Sequence, residues 1–259
     1  MASLRALIWD VDGTLIDNEE SHRAAFNEAF AAAGLDWSWD EATYRDLLRV
    51  AGGRERIIRY VREHEPQRAL APDFDDFVRE LHADKTRRYG RILEQGVALR
   101  PGVARLVEEA RAAGLRQAIA TTTSRINVDR LLAGPTAADL RAAFTTLATG
   151  ESVTAKKPAP EVYERVLEGL GLPPAACLAI EDTGLGLRAA TAAGIPTLVT
   201  VSRYSRDDDF SGALAVLDAL GEPDAPCRVL AGGPLERACV DLESLKGWHK
   251  ISTKQKERN

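Results

Sequence analysis

The sequence predicts an α/β protein: a doubly wound parallel sheet with an α-helical cap domain inserted after the first strand. From about residue 100 to residue 201, short apolar runs alternate with amphipathic helical segments, which is typical of a parallel sheet with helices on both faces. Between residues 17 and 97 the pattern is helical, with no convincing strand. We therefore expect a core formed by residues 1–16 and 98–259 and a cap formed by residues 17–97.

The first element is a buried strand over residues 4–9, and the cap follows it. A helix over residues 19–33 carries Phe26 and Phe30 four positions apart and ends at Gly34. Asp40 then caps the first of several helical segments that extend to residue 94. In the core we predict helices over residues 100–114, 124–133 (with Ser124 as its cap), 159–171 and 184–194, and strands over residues 115–121, 143–150, 177–182 and 196–201.

The composition is that of an ordinary globular protein and excludes several classes of function. The net charge of −5 argues against binding nucleic acid by bulk electrostatics. No apolar run approaches the roughly 20 residues of a membrane span, and the run before Asp10 is too short for a signal peptide. The three cysteines show no metal-ligand spacing and fit a reducing compartment. We expect a cytoplasmic monomer with a frayed, polar tail from residue 246 onward.

Polar side chains cluster where the predicted strands end. The first strand ends in Asp10 and Asp12, the strand over residues 115–121 leads into the hydroxyl run 121–124, and the strand over residues 177–182 ends in Glu181 and Asp182. Ligands of open α/β sheets bind outside the carboxyl ends of the strands, so these groups should meet at one edge. The run "AKKPAP", which carries Lys157, lies between them in sequence.

This set of groups suits phosphoryl transfer. Crowded carboxylates favour Mg²⁺, which takes oxygen ligands and bridges to phosphate. An aspartate can attack phosphorus, and a second carboxylate two residues on can protonate the leaving oxygen and then activate water. Hydroxyl and ammonium groups would bind the phosphoryl oxygens, and such reactions depend mostly on positioning and charge neutralisation.

The motifs "DVDGT", "TTTS", "KKPAP" and "IED" resemble, in this order, the four motifs of the haloacid dehalogenase superfamily of phosphatases. The resemblance implies Asp10 as nucleophile and Asp12 as general acid/base, with the Asp12 backbone carbonyl also at the metal. It implies that Thr122 binds phosphate and that Lys157 neutralises the nucleophile and the phosphate. The Mg²⁺ ligands would come from Asp10, Asp12, Glu181 and Asp182.

The cap stretches "NEESHRAAFNEAF", "YRDLLRVAGGRERI" and "LHADKTRRY", together with "IATTTSRINV" in the core, resemble the CbbY branch of this superfamily, phosphatases of sugar bisphosphates. The implied substrate is xylulose-1,5-bisphosphate, an inhibitor of Rubisco in the Calvin cycle, with its second phosphate under the cap. A distal phosphate needs cations, for which arginine and lysine side chains are suited. The expected substrate-binding residues are Glu19, His22, Arg45, Arg54, Lys85 and Thr123, and Tyr204 is a further candidate from the core. The sequence has Arg54 where this branch commonly has lysine, which leaves the distal specificity open.

Other interpretations stay open at this stage. Asp10 and Asp12 could form an Asx turn, the acidic pair could cap a helix, and Lys157 could be a surface lysine, as we expect of Lys156. Trp37 and Trp39 are expected to pack inside the cap, and "RDDDF" to begin a solvated helix. The functional alternatives are a β-phosphoglucomutase-type mutase, another small-metabolite phosphatase such as a phosphoglycolate phosphatase, and a non-catalytic binding protein. No motif position is lost, which argues against the last.

Overall fold

The computed structural model describes residues 3–256, and the side chains up to residue 253. Its sheet has seven strands among the described residues, in the order β3-β2-β1-β4-β5-β6-β7, and all neighbours are parallel except β6 and β7. In chain order, the strands β1 to β7 are Ala6–Trp9, Arg116–Ala120, Phe144–Ala148, Cys177–Glu181, Thr197–Thr200, Ala215–Leu217 and Val229–Gly232. The predicted α/β fold with a mostly parallel sheet is confirmed.

Helices cover both faces of this sheet. Four further helices, which lie between β1 and β2 along the chain, form a separate layer. The α-helices of the described residues, α1 to α9 in chain order, are Glu19–Ala32, Glu41–Leu47, Gly53–His64, Phe74–Glu94, Val103–Ala112, Arg125–Ala133, Glu161–Leu170, Gly184–Ala192 and Leu242–Lys256. Short 3₁₀ turns lie at Arg68–Leu70, Ala138–Ala143 and Pro174–Ala176. Helices α1 to α4 form what we call the helical segment, residues 19–94.

The core lies on the two faces of the sheet because alternate residues of each strand point to opposite sides. On one face Leu7 and Trp9 pack with α5, α6 and α9. On the other face Ala6 and Ile8 pack with α7 and α8. Strands buried on both faces explain why the sequence shows continuous apolar runs rather than alternation.

The helical segment has an apolar cluster of its own, built on aromatic rings. Phe26, Phe30, Trp37 and Trp39 lie in it, with the Phe30 and Trp39 ring centroids 4.8 Å apart. The packing role predicted for the two tryptophans is therefore confirmed. One side chain from beyond the segment, Tyr204, belongs to the same cluster. Asp40 caps α2 as predicted, since its carboxylate accepts a hydrogen bond from the Thr43 amide.

The carboxyl-terminal part of the chain differs from the prediction. Residues 215–217 and 229–232 extend the sheet, and α9 packs against the same face as α5, with Trp248 and His249 buried. The expected frayed tail from residue 246 is thus wrong for the part the structure describes, and residues 257–259 lie outside it. The prediction that the "RDDDF" run begins a helix is wrong, since residues 206–210 form a turn. In this turn Asp208 accepts a hydrogen bond from the Gly184 amide at 2.7 Å, at the start of α8.

Among the described residues, no helix is both long and apolar enough to cross a membrane. The three cysteines, Cys177, Cys227 and Cys239, are free thiols.

Candidate active site

Three strand ends meet at the centre of the sheet. Strand β1 lies between β2 and β4, so Asp10, the hydroxyl run after β2 and the acidic pair at the end of β4 come together from three neighbouring elements. Asp10 and Asp182 are buried, as is Glu181. A cavity of about 670 Å³ opens above them, between this edge and the helical segment.

Lys157 joins two of the carboxylates. Its Nζ donates to Asp10 Oδ1 at 2.6 Å, to Glu181 Oε1 at 2.5 Å and to the carbonyl oxygen of Ala120 at 3.0 Å. Burial alone would lower the pKa of Lys157, but the charges of Asp10 and Glu181 outweigh it, and the pKa lies above its usual value. The side chain is therefore a fixed ammonium, and the surface-lysine alternative does not hold for this residue.

Asp12 is held by groups from the helical segment and from the core. Its Oδ1 accepts from Asn18 Nδ2 at 2.5 Å and lies 3.2 Å from His22 Nε2, while its Oδ2 accepts from the Thr123 hydroxyl. Burial raises the pKa of Asp12, but the charge of a protonated His22 and these hydrogen bonds outweigh it, and the pKa lies well below its usual value. Burial and the Lys85 charge in turn lower the pKa of His22, which favours the neutral imidazole. The carboxylate is thus kept ionised, with an imidazole beside it.

The acidic cluster fits a divalent cation. One oxygen from each of Asp10, Glu181 and Asp182 lies within 4.8 Å of the others. Asp182 Oδ1 is buried and has no hydrogen-bond partner among the described residues. Burial, followed by the charges of Asp10 and Glu181, raises the pKa of Asp182, and burial with Glu181 raises that of Asp10 against the effect of Lys157. A hard cation with oxygen ligands would relieve this crowding.

Of the three carboxylates in this cluster, that of Glu181 accepts the most hydrogen bonds from the protein. It accepts from Lys157 and, at 2.5 Å, from the Tyr163 hydroxyl, and its other oxygen accepts from the Asp182 amide at 3.2 Å. A Cβ on Gly186 would come within 2.0 Å of this carboxyl group. The glycine in "GLGL" therefore allows α8 to begin directly against Glu181.

The hydroxyl side chains after β2 have different partners. Thr123 binds Asp12, whereas the Thr122 side chain lines the cavity and has no hydrogen-bond partner among the described residues. Ser124 stands at the N-cap of α6 as predicted, but its hydroxyl makes no capping bond; the Arg125 amide donates instead to Glu151, at 2.9 Å. Thr122 is therefore free to meet a ligand, and the expected capping by Ser124 is wrong.

The helical segment contributes a buried polar row above Asp12. His22 Nδ1 lies 2.5 Å from Lys85 Nζ, and the His22 ring stacks on Tyr89 with centroids 3.8 Å apart. Burial lowers the pKa of Lys85 to about 7, with Asp12 and Glu19 opposing. Glu19 accepts from the Tyr44 hydroxyl at 2.7 Å. The three predicted residues Glu19, His22 and Lys85 line the cavity, whereas their partners Tyr44 and Tyr89 do not.

Three cations, Arg45, Arg54 and Lys85, are predicted for the distal phosphate, and all three line the cavity. Lys85 lies beside His22, and the two arginines are paired with carboxylates. Arg54 is exposed and lies 3.2 Å from Asp75, and Arg45 lies 2.8 Å from Glu41 and 3.6 Å from Asp207. Of the predicted site residues, only Glu181 does not line the cavity. The structure thus brings the whole predicted set to one place.

Sequence reasoning missed several residues here. Asn18 and Tyr89 orient Asp12, Tyr163 binds Glu181, and Arg56 lines the cavity without a carboxylate partner among the described residues. Lys156 is not the free surface lysine we expected, since it pairs with Glu55 of the helical segment at 2.8 Å. Of these residues, Asn18 alone has a signal in the sequence, because a polar residue just before a predicted helix is a candidate for a specific hydrogen bond.

Comparison with known proteins gives consistent matches. A family model described as haloacid dehalogenase-like hydrolase matches residues 4–194. The chain is 50% identical over 247 residues to the protein CbbY, plasmid, of Cupriavidus necator, covering 95% of this chain and 97% of that one. It is 53% identical to CbbY of Rhodobacter capsulatus, over 81% of this chain and 91% of that one.

A solved structure gives the same match in three dimensions. It is a mutant of CbbY from Rhodobacter sphaeroides in complex with xylulose-(1,5)bisphosphate, with a TM-score of 0.77 and 42% identity, covering 85% of this chain and 96% of that one. Because the family model spans well over half of the sequence and the strand-end carboxylates occupy the expected edge, the chain belongs to the haloacid dehalogenase-like hydrolases and is an enzyme of CbbY type.

Proposed function

We propose that this enzyme is a Mg²⁺-dependent phosphatase that hydrolyses a sugar bisphosphate, xylulose-1,5-bisphosphate, through an aspartyl-phosphate intermediate. The observation that carries the proposal is that two aspartates at one strand end have different neighbours. Asp10 lies against the Lys157 ammonium, while Asp12 is held apart from it by Asn18, His22 and Thr123.

Each aspartate has its own role in the proposed reaction. Asp10 attacks phosphorus and forms the phosphoenzyme, and Lys157 with the Thr122 hydroxyl neutralises and orients the transferring phosphoryl group. Asp12 is ionised in the free enzyme, so the proton that it gives to the leaving sugar oxygen would arrive with a substrate bound as the phosphate monoanion. Asp12 then takes a proton from the water that cleaves the phosphoenzyme. His22 Nε2 lies 3.2 Å from Asp12 Oδ1, which is close enough to exchange a proton with this carboxylate and supports its role as acid and base.

Asp10 and Asp182, with the Asp12 backbone carbonyl, would hold the Mg²⁺, and Glu181 would support them from behind. When bound, the ion supplies charge neutralisation for the phosphoryl oxygens and for the crowded carboxylates. The buried, unpartnered Asp182 Oδ1 supports this assignment.

Two observations support the proposed substrate: the residues on the roof of the cavity, which is the side formed by the helical segment, and the names of the relatives. Arg54, Arg56 and His82 line the side formed by the helical segment, which suits a second phosphate. Glu19, His22 and Lys85 lie nearer Asp12 and would meet sugar hydroxyls. The relatives named CbbY, one of them solved with xylulose-(1,5)bisphosphate, support this choice over other sugar phosphates.

We also propose that residues 17–97 act as a cap domain on a core of residues 1–16 and 98–259. The separate aromatic cluster of the helical segment supports this division. The enzyme would work in the Calvin cycle as a cytoplasmic monomer without nucleic-acid or membrane partners, and the free thiols support a reducing compartment.

The test is phosphate release from a panel of sugar phosphates, with Mg²⁺ and with chelator. The panel holds xylulose-1,5-bisphosphate, ribulose-1,5-bisphosphate, β-glucose-1-phosphate with its bisphosphate activator, and phosphoglycolate. Chelator-sensitive preference for the first is expected. Isomerisation of β-glucose-1-phosphate without net phosphate release would indicate a mutase, and preference for phosphoglycolate another phosphatase; either would overturn the substrate proposal.

A further inference from the structure

We propose that Arg100 is a positioning residue that fixes the loop after β1 and, through it, the metal-binding carboxylate of Asp182. The inference rests on the proposed function, because it concerns the same metal site. Arg100 lies outside every motif considered above, in the stretch that returns from the helical segment to the core.

The Arg100 guanidinium binds three separate strand ends. Nη1 donates to the carbonyl oxygens of Gly13 and, at 2.8 Å, Thr200; Nη2 donates to those of Val201 at 2.8 Å and Asp218 at 2.9 Å. Nη1 also lies 3.1 Å from the Thr200 hydroxyl. One planar fork thus ties the loop after β1 to the ends of β5 and β6.

This arrangement is unusual for a partly buried cation. No carboxylate pairs with Arg100 among the described residues, and its contacts are four backbone carbonyls and the Thr200 hydroxyl. Most other arginines in the structure bind an aspartate or glutamate, as Arg105 binds Glu109 and Glu222. A charge held mainly by backbone oxygens acts chiefly on the position of the backbone.

Gly13 transmits this hold to the metal site. Its φ is +80°, and a Cβ here would lie 2.0 Å from Asp182 Oδ2, so the Asp182 carboxyl group packs directly on the Gly13 backbone. Asp182 Oδ1 has no hydrogen-bond partner in the described part of the chain. The direction of this carboxylate is therefore set by the Gly13 backbone below it and by the Ser202 side chain, to which it is hydrogen-bonded. Arg100 holds the Gly13 backbone by its carbonyl oxygen.

Arg100 also stands where the two linkers to the helical segment meet. Its amide donates to the carbonyl oxygen of Leu15 at 2.9 Å, and Leu99 forms a bridge with Ile16. The first linker, which follows Asp10 and Asp12, and the second linker, which contains Arg100, therefore lie side by side. The Arg100 side chain fixes both of them to the ends of β5 and β6.

The test compares Arg100→Met with Arg105→Met, a control that also removes a partly buried arginine bonded to the carboxyl-terminal part of the chain. Mn²⁺ binding to the metal-free protein is measured by electron paramagnetic resonance, and turnover by hydrolysis of p-nitrophenyl phosphate. In Arg100→Met the dissociation constant for Mn²⁺ should rise about 10–100-fold and kcat should fall by a similar factor, because groups that orient ligands have effects of this size. KM should change by less than about 3-fold, and Arg105→Met should stay within about 2-fold throughout.

Arg100→Lys keeps the charge but loses the planar fork, and it serves if the methionine variant does not fold. It should melt like wild type and show a smaller rise in the Mn²⁺ dissociation constant. Wild-type Mn²⁺ affinity in a folded Arg100 variant, or equal losses in Arg105→Met, would overturn the proposal. Absence of phosphate release from every sugar phosphate of the panel in the wild type would instead defeat the proposed function, and it would leave the Mn²⁺ result standing because Mn²⁺ binding is measured without substrate.

Discussion

Lys156 and Glu55 form an ion pair across the cavity, with Nζ 2.8 Å from both carboxylate oxygens. Lys156 precedes Lys157, which binds the two core carboxylates, and Glu55 follows Arg54, which lines the roof. A second pair joins the core to the helical segment, since Arg203 donates to Glu41 at 2.5 Å. The helical segment is therefore joined to the core by two separate ion pairs.

Glu55→Gln should weaken this closed arrangement. A partly buried pair of this kind contributes about 0.5–1 kcal/mol, so we expect KM for a sugar bisphosphate to rise about 2–5-fold while kcat changes less. Glu63→Gln is the matched control, since Glu63 pairs with Arg59 inside the same helix. Initial rates over a substrate series measure the effect. Equal effects of the two substitutions would show that the pair across the cavity has no special role.

Asp10→Asn should abolish phosphate release and leave the fold intact. The amide is nearly isosteric but cannot form the phosphoenzyme, so turnover should fall by more than about 10³-fold. Rates with saturating Mg²⁺, together with circular dichroism, measure both properties. Asp36→Asn, at an exposed position of the helical segment, is the control and should retain activity. An active Asp10→Asn enzyme would remove Asp10 from the role of nucleophile.

The arrangement of the core groups was predictable from sequence because strand topology determines it. Asp10, Asp12 and Asp182 each stand just after a strand, and parallel strands bring their carboxyl ends to one edge. The Lys156–Glu55 pair was not predictable, since it depends on how the helical segment lies over the core. Tyr204, a predicted candidate from the core, does line the cavity, but its place in the aromatic cluster of the helical segment was not predictable for the same reason.

The carboxyl-terminal strands escaped prediction for a different reason. Strands β6 and β7 have only three and four residues, and β7 lies exposed at the edge of the sheet. Such short runs give too little periodicity to separate a strand from a loop. The polar and basic residues from position 246 onward predict a tail, whereas in the structure Leu245 and Trp248 give helix α9 an apolar side that packs in the core.

Lys157→Met should destabilise the protein most when no divalent cation is present. The ammonium is buried between Asp10 and Glu181, and its loss leaves two unpaired carboxylates in the interior. Breaking a buried pair from one side costs about 3–5 kcal/mol, which urea denaturation in chelator measures. Added Mg²⁺ should restore part of this loss.

The neighbouring Lys156→Met is the control for this effect. Its lysine is partly exposed, so we expect a loss of no more than about 1 kcal/mol in the same assay. A Lys157→Met enzyme as stable as this control would mean that the acidic pair does not depend on the ammonium.

His82 should make the protein sensitive to mild acid. Burial lowers its pKa to about 3, and the charges of Lys85, Lys156, His22 and Arg54 add to this effect. The unfolded chain binds a proton at His82 below pH 6.5 while the folded one does not, so the free energy of unfolding falls as the pH falls from 6.5 towards 3.

Comparison with His82→Gln isolates this contribution. Between pH 7.5 and pH 5 the wild type should lose about 2 kcal/mol more than the variant, measured by urea denaturation in buffers without phosphate. His64→Gln, at an exposed position of α3, should behave like the wild type. Parallel curves for the wild type and His82→Gln would contradict a neutral, buried imidazole.

Arg54→Ala and Arg56→Ala should separate bisphosphates from monophosphates. Among the described residues, Arg54 is bonded to the exposed Asp75, and Arg56 to the carbonyl oxygen of Val50 at 3.0 Å and to the Tyr44 hydroxyl at 3.4 Å. Neither arginine is tied to a buried carboxylate, so both guanidinium groups can turn to a phosphate on the helical side of the cavity. A charged hydrogen bond contributes about 1.5–3 kcal/mol, so kcat/KM for xylulose-1,5-bisphosphate should fall about 10–100-fold. For a monophosphate the loss should stay below about 3-fold, because the attacked phosphate lies at Asp10. Arg62→Ala, on an exposed face of α3, is the control, and equal losses on both kinds of substrate would exclude these arginines from a distal phosphate site.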